Sequence, residues 1–265
     1  MGALLCAPTI YHMIDPGLVS VTFRKLSPRE IVDLTQQAGL VGIEWGGDVH
    51  VPHGDLNRAR EVAAITQDAG LRVMAYGSYY RAGRDCDLPF ERVLDTARVL
   101  GAPVIRIWAG DQPSAQADAA HWQRVIAESQ RAGHLAAEAG LRVVFEFHGG
   151  TLTDTNDSAR RLVEQVDHPA VGMYWQPVVG QSVDYNLAGL RAMLPWLTNV
   201  HVFHWGPTTQ DRHPLAEGES EWRRYLAVLS ASNRLHGALL EFVPGDAPQA
   251  FLRDAATLKD WLLGF

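Results

Sequence analysis

Apolar and polar positions along this chain come in short bursts that recur at a near-constant interval. Four stretches carry almost the same phrase: QQAGLVGIEWGG (36–47), QDAGLRVMAYGS (67–78), RVLGAPVIRIWAG (98–110) and AEAGLRVVFEFHGG (137–150). Each places a Gly where a helix would stop, then an apolar run of strand length that closes on Gly or a polar residue. TIYHMI (9–14), AVGMYWQP (170–177), NVHVFHW (199–205) and GALLEFV (237–243) supply four more strand candidates. Apolar positions at helical spacing predict crossovers over 88–100, 118–139, 157–166, 187–194, 219–235 and 248–263. One start signal is complete: Ser27-Pro28-Arg29-Glu30 offers an N-cap, a Pro at the first helical position and the Glu of a capping box. Eight such units predict an α/β fold, a closed (β/α)₈ barrel occupying residues 1–265 as a single domain. The rival, an open doubly wound sheet, usually shows a G-x-G-x-x-G loop after its first strand, and none follows TIYHMI.

Composition narrows the function more than the fold. The 23 Lys plus Arg against 30 Asp plus Glu give a net charge of −7 with no basic run, which argues against nucleic acid and anionic membranes as partners. Only Cys6 and Cys86 occur, too few for a disulfide framework, and the start MGALLCAPTIYH lacks a basic region before its short apolar run. A reduced, cytoplasmic compartment is the expectation. The remaining partner class is a small molecule, and self-association into a homo-oligomer is compatible with this composition.

Barrels carry function at the C-terminal ends of their strands. There the sequence offers His12, Glu44, Arg106 with Trp108, Glu146 with His148, Gln176, His201 and Glu241. Strand alternation puts Val144, Glu146 and His148 on one face, Tyr174 with Gln176, Asn199 with His201, and Leu239 with Glu241, so each polar group can point inward. Two carboxylates alone would repel one another in so dry a place, whereas a divalent cation between them holds both ionised. Mixed oxygen and nitrogen donors without thiolate suit Mn²⁺ or Mg²⁺, with Zn²⁺ and Co²⁺ as alternatives.

FEFHGGTLTDT, VIRIWAG, HVFHW and LLEFV together resemble the xylose isomerase-like TIM barrels of the sugar phosphate isomerase/epimerase family. The likeness covers essentially the whole chain, and E-x-H-G-G-T-L-T-D-T is its most specific piece. It implies one divalent metal held by Glu146, a strand-six ligand, His201 and Glu241. The family usually has Asp in a D-P pair on strand six, where this chain has Gln176-Pro177, and the His of some ketose epimerases is here Val179. With Gln the four side chains sum to about −2 instead of −3, which lowers metal affinity and raises Lewis acidity. Gln176 either ligates through its amide oxygen or hydrogen-bonds substrate.

The resemblance further implies an enzyme that removes a proton next to the carbonyl of a keto sugar or related polyol through an enediolate, with Glu146 and Glu241 as the acid/base pair. The same polarised carbonyl permits β-elimination from a 3-keto glycoside, and a non-catalytic sugar-binding barrel is the competing class. An apurinic-site endonuclease shares the barrel but would need further metal ligands and a basic face. His148, Arg106, Trp108, Glu44, His204 and Arg212 are the expected substrate contacts, with Arg212 and His213 on a polar loop (206–219) able to close over the site. Trp45, Trp175 and Trp205 offer further aromatic faces, and His50 and His53 stand ready to cap the site after strand two.

Overall fold

A computed structural model describes residues 13–85 and 88–265. Eight parallel strands close into a barrel in sequence order. The units run β1 Ile14–Val19, α1 Pro28–Ala38, β2 Gly42–Gly46, α2 Leu56–Asp68, β3 Arg72–Arg81, α3 Phe90–Leu100, β4 Val104–Trp108 and α4 Ala119–Glu138. They continue as β5 Arg142–Glu146, α5 Asn156–Val166, β6 Val171–Trp175, α6 Val183–Met193, β7 Leu197–Val202, α7 Glu219–Ser230, β8 His236–Leu240 and α8 Pro248–Leu262. The (β/α)₈ expectation holds. No helix among the described residues is long and apolar enough to cross a membrane.

Local chemistry sets the boundaries. Ser27 accepts from the Glu30 amide at 3.4 Å while Glu30 Oε2 accepts from the Ser27 amide at 2.7 Å, closing the capping box of α1. Gly39 ends that helix at φ 67°, a left-handed position that costs a residue without Cβ little. Strand alternation separates two cores. Val143, Phe145, Trp45 and Trp175 face the helices, while Val19, Ala75, Val104, Val144, Tyr174 and Leu239 fill the barrel interior.

Three expectations are corrected. The first barrel strand is β1, beginning at Ile14 where the expected strand over 9–14 would end, and it pairs with β2 and β8; residues 9–12 of that expectation, His12 included, lie outside the described residues. Asp15-Pro16-Gly17 reads as a turn, yet the Pro16 carbonyl still accepts from the Val41 amide at 2.9 Å. A Cβ on Gly17 would stand 2.5 Å from Met74 Sδ and 2.6 Å from Leu239 Cδ2, so the barrel interior demands Gly there. Helix α7 stops at Ser230, short of 235. Trp45 and Trp175 are wholly buried away from any opening: the Trp45 indole donates to Thr66 Oγ1 at 3.2 Å, and Trp175 meets Tyr225 edge-on at 5.1 Å.

Gly17→Ala is expected to cost about 1–3 kcal/mol by overpacking the interior, measured as a lower urea midpoint at unchanged m-value. Stability equal to the parent would show that residues 14–19 are not a closing strand.

Candidate active site

At the C-terminal mouth the inward positions of β2, β4, β5 and β7 present Glu44, Arg106, Glu146 and His201, all buried, and Glu241 joins them just past β8. Arg106 bridges two of the acids: its Nε donates to Glu44 Oε1 at 2.6 Å and its Nη1 donates to Glu146 Oε2. Glu146 Oε2 also accepts from the Trp108 indole at 2.5 Å. Gly77 on β3 makes room for this bridge, because a Cβ there would lie 2.6 Å from Arg106 Nη2 and 2.7 Å from Glu44 Oε1.

His201 divides the cluster. Its Nε2 faces Glu44 Oε2 at 3.6 Å, and neither atom has another partner among the described residues. Its Nδ1 faces Gln176 Oε1 at 2.9 Å, Glu146 Oε1 at 3.4 Å and Glu241 Oε2 at 3.4 Å. A neutral imidazole protonated on Nε2 would turn a lone pair toward three oxygen acceptors, an arrangement that calls for a cation or a proton in their midst. Donors bound about 2.0–2.2 Å from one ion lie about 3–3.5 Å apart, which matches the spacing of His201 Nδ1 from the carboxylate and amide oxygens. Glu146, His201 and Glu241 thus form a group that could hold a metal ion.

Charge gives the same answer. Glu44, Glu146 and Glu241 against Arg106 leave a buried sum of −2 with His201 neutral. Burial, with Glu146 close by, pushes the Glu241 carboxyl up to about 7. Burial opposes the His201 charge, yet Glu241, Glu146 and Glu44 together raise the imidazole to about 10. Glu146 moves the other way: Arg106 overcomes its burial and holds it below the usual carboxylate range. Protons thus occupy Glu241 and His201 where a divalent ion would otherwise balance the charge.

Above this floor opens a cavity of about 510 Å³. Its walls are aromatic: Tyr79, Trp108, Trp205 and Phe242, with His148 stacked on Trp108 at 4.3 Å. Tyr79 and Phe242 hold φ of 57° and 48°, sparsely populated for aromatic residues, just where β3 and β8 deliver them to the cavity. Arg212 also lines it, over Phe242 at 4.6 Å and paired to Asp246 at 2.5 Å.

Of the expected contacts, Arg106, Trp108, His148, Gln176, Trp205, Arg212, Glu146 and Glu241 line this cavity. Five other residues are placed differently from expectation. Glu44 lies beneath the opening, bound to Arg106, and does not line it. His204 and His213 lie tilted against one another at 5.8 Å outside the lining, because the chain leaving a β7 that aims His201 inward turns His204 toward Gly218. His50 bonds Ser20 Oγ at 3.0 Å and His53 bonds Tyr76 OH at 2.7 Å; neither caps the site. Sequence reasoning missed Arg24, Tyr79, Asp154 and Phe242. Asp154 stood within the quoted motif; Tyr79 arrives only because β3 runs on past Ser78.

Residues 32–261 match the xylose isomerase-like TIM barrel family. The chain belongs to that family. It is 24% identical over 199 residues to a 3-dehydroshikimate dehydratase of Bacillus anthracis, covering 70% of each chain. Among solved structures, a probable 3-DHS dehydratase involved in petrobactin synthesis from the same organism superposes with a TM-score of 0.78 at 18% identity, covering 92% of this chain and 98% of that one. A family barrel from Mycobacterium smegmatis in complex with magnesium gives 0.73 at 16%, covering 94% and 96%. A D-psicose 3-epimerase from Clostridium cellulolyticum H10, solved with D-tagatose, gives 0.70 at 14%, covering 94% and 98%. At these identities the structural likeness is one of fold.

Two outcomes follow for metal binding. Because Glu241 and His201 must both lose protons, log affinity for Mn²⁺ is expected to climb with a slope of about 2 per pH unit below pH 7 and about 1 above it; a flat titration would remove both from the ligand set. Glu44→Gln, which loosens His201, should weaken binding about 10–100-fold, whereas Gln176→Asp should tighten it, both by isothermal calorimetry at fixed pH.

Proposed function

We propose that this protein is a divalent-metal-dependent enzyme that removes a proton next to the carbonyl of a polyhydroxylated ketone. The convergence of Glu146 Oε1, His201 Nδ1, Glu241 Oε2 and Gln176 Oε1 at 2.9–3.4 Å on the floor of an open cavity carries this reading. Those four residues would hold the metal. The oxygen-rich donor set favours Mg²⁺ or Mn²⁺. When bound, the ion supplies Lewis acidity toward the substrate carbonyl and adjacent hydroxyl.

The two catalytic carboxylates are not equivalent. Glu146 Oε2 already accepts from Arg106 and Trp108, so this carboxylate is anchored, fully ionised and a poor base. Glu241 has no such donor on its side chain among the described residues, so its carboxylate keeps the lone pairs that Glu146 has already committed. Glu241 is therefore the proton acceptor and Glu146 the fixed ligand. One base serves elimination better than epimerisation, which needs proton transfer on both faces of the carbon. Glu241 takes the α-proton, a carbon–carbon double bond forms as the β-hydroxyl leaves, and the same proton returns to that hydroxyl to release water. The likeness to a dehydratase over 70% of the chain supports this branch, a lyase reaction. Epimerisation of a keto sugar is the second reading, supported by the pair of carboxylates flanking one opening. The aromatic walls suit the C–H faces of a carbohydrate-like ring, and His148 and Arg212 line the same cavity with polar groups that suit its hydroxyls.

Incubating metal-loaded protein with cyclic polyhydroxy ketones and ketoses in deuterated water, followed by NMR and by ultraviolet absorbance of a conjugated enone, tests the proposal. Glu241→Gln, assayed at a metal concentration that saturates each variant, is expected to lower kcat at least 10²-fold, while Trp108→Phe, which frees Glu146 of one donor, should act mainly on metal affinity. An epimer without enone would select the second reading. Binding without exchange or turnover on any of these compounds would leave only a carbohydrate-binding barrel.

A further inference from the structure

The opposite mouth of the barrel carries charge of the other sign. A cavity of about 270 Å³ opens there, at the N-terminal ends of the strands, with Arg72, Arg142 and Arg234 on its walls and Met74, Asn199 and Gly237 toward the interior. Arg72 pairs with Asp15 at 2.5 Å. Arg234 Nη1 donates to the Leu194 and Pro195 carbonyls at 2.8 and 3.0 Å, which satisfies that nitrogen but not the charge. Arg142 is half-buried, and among the described residues its guanidinium has neither a carboxylate nor a hydrogen-bond acceptor. Residues 1–12, which precede this mouth in sequence, contain no Asp or Glu.

A cation taken half out of water without a counter-charge is a cost the fold accepts only when something offsets it. His236 cannot help, since Thr198 O and Ser232 Oγ engage its two ring nitrogens and burial holds it neutral. Three guanidinium groups and one carboxylate leave the cavity at +2. That charge and the forked geometry of arginine match a tetrahedral dianion.

We propose that this N-terminal mouth is a binding site for a phosphate group, as inorganic phosphate or as a small phosphomonoester, gripped by Arg142 and Arg234 with Arg72 at the rim. The site is separate from the catalytic mouth. Arg142 and Glu146 are the two ends of β5, about 13 Å apart along the strand at about 3.3 Å per residue.

Thermal unfolding of the metal-loaded protein in phosphate, sulfate or glycerol phosphate, each matched in ionic strength with sodium chloride, tests the site. A saturable Tm rise of roughly 2–4 °C is expected. Arg142→Gln should abolish the rise while leaving Tm in phosphate-free buffer unchanged or higher, because an unpaired buried cation has gone. Arg234→Gln, exposed and so safe for folding, should weaken the phosphate midpoint roughly tenfold. Arg212→Gln, at the catalytic mouth, should keep the full response. A lower midpoint for glycerol phosphate would identify a phosphomonoester as the ligand, and equal midpoints inorganic phosphate. A rise equalled by chloride, or one that survives Arg142→Gln, would overturn the assignment.

Discussion

Arg106 is the group on which the acidic floor of the barrel depends. Glu44, Glu146 and Glu241 are packed into the end of a dry barrel, where two like charges 4 Å apart repel by about 4 kcal/mol at an effective dielectric of 20. One guanidinium held between Glu44 and Glu146 offsets the worst of that, and Gly77 is shaped to let it in. It does not offset everything. The uncompensated charge is left around His201 Nδ1, on the side away from Arg106, so the ion bridge decides where a cation belongs as well as keeping the acids ionised.

That geometry gives Gln176 a meaning the family comparison alone does not. With Asp in its place the buried sum would be −3, and a divalent ion would leave the floor anionic. With Gln the loaded floor is neutral, so no fixed negative charge is left to oppose a developing enolate oxygen. If the proposed metal site is right, the exchange would give up affinity for the metal in return for a stronger pull on substrate electrons. An amide oxygen 2.9 Å from His201 Nδ1 still keeps the position filled by an oxygen donor.

The fold was legible in the sequence because helix stops and strand bursts repeat with the barrel's own period, and the inward acids because strand parity is fixed once the strand is placed. Glu146, His201 and Glu241 were found in that way. What stayed hidden depends on contacts between distant strands. Glu44 looked like a substrate ligand, since nothing in its own segment shows that Arg106, 62 residues on, will cover it. β1 was misplaced because Pro16 and Gly17 obey interior packing against Met74 and Leu239 and not local propensity. Tyr79 and Phe242 were missed for a third reason: their left-handed backbones turn side chains that alternation would send elsewhere into the cavity.

The same alternation ties the two mouths together. On β5, Arg142, Val144 and Glu146 point inward in succession, and the middle layer of Val104, Val144, Tyr174 and Leu239 keeps water from the space between. Across about 13 Å of such a medium a unit pair still interacts by about 1 kcal/mol. Arginines at one end therefore help keep the acids at the other end ionised, and they also oppose a cation arriving there. On the proposed assignments, a dianion seated among the arginines would cancel that field, so its binding and metal binding would favour one another by a few-fold, reciprocally by linkage. A barrel with carboxylates at one mouth and a net positive cluster of guanidinium groups at the other would thus have, in its interior layers alone, the means to let an anion on one face tune metal occupancy on the other.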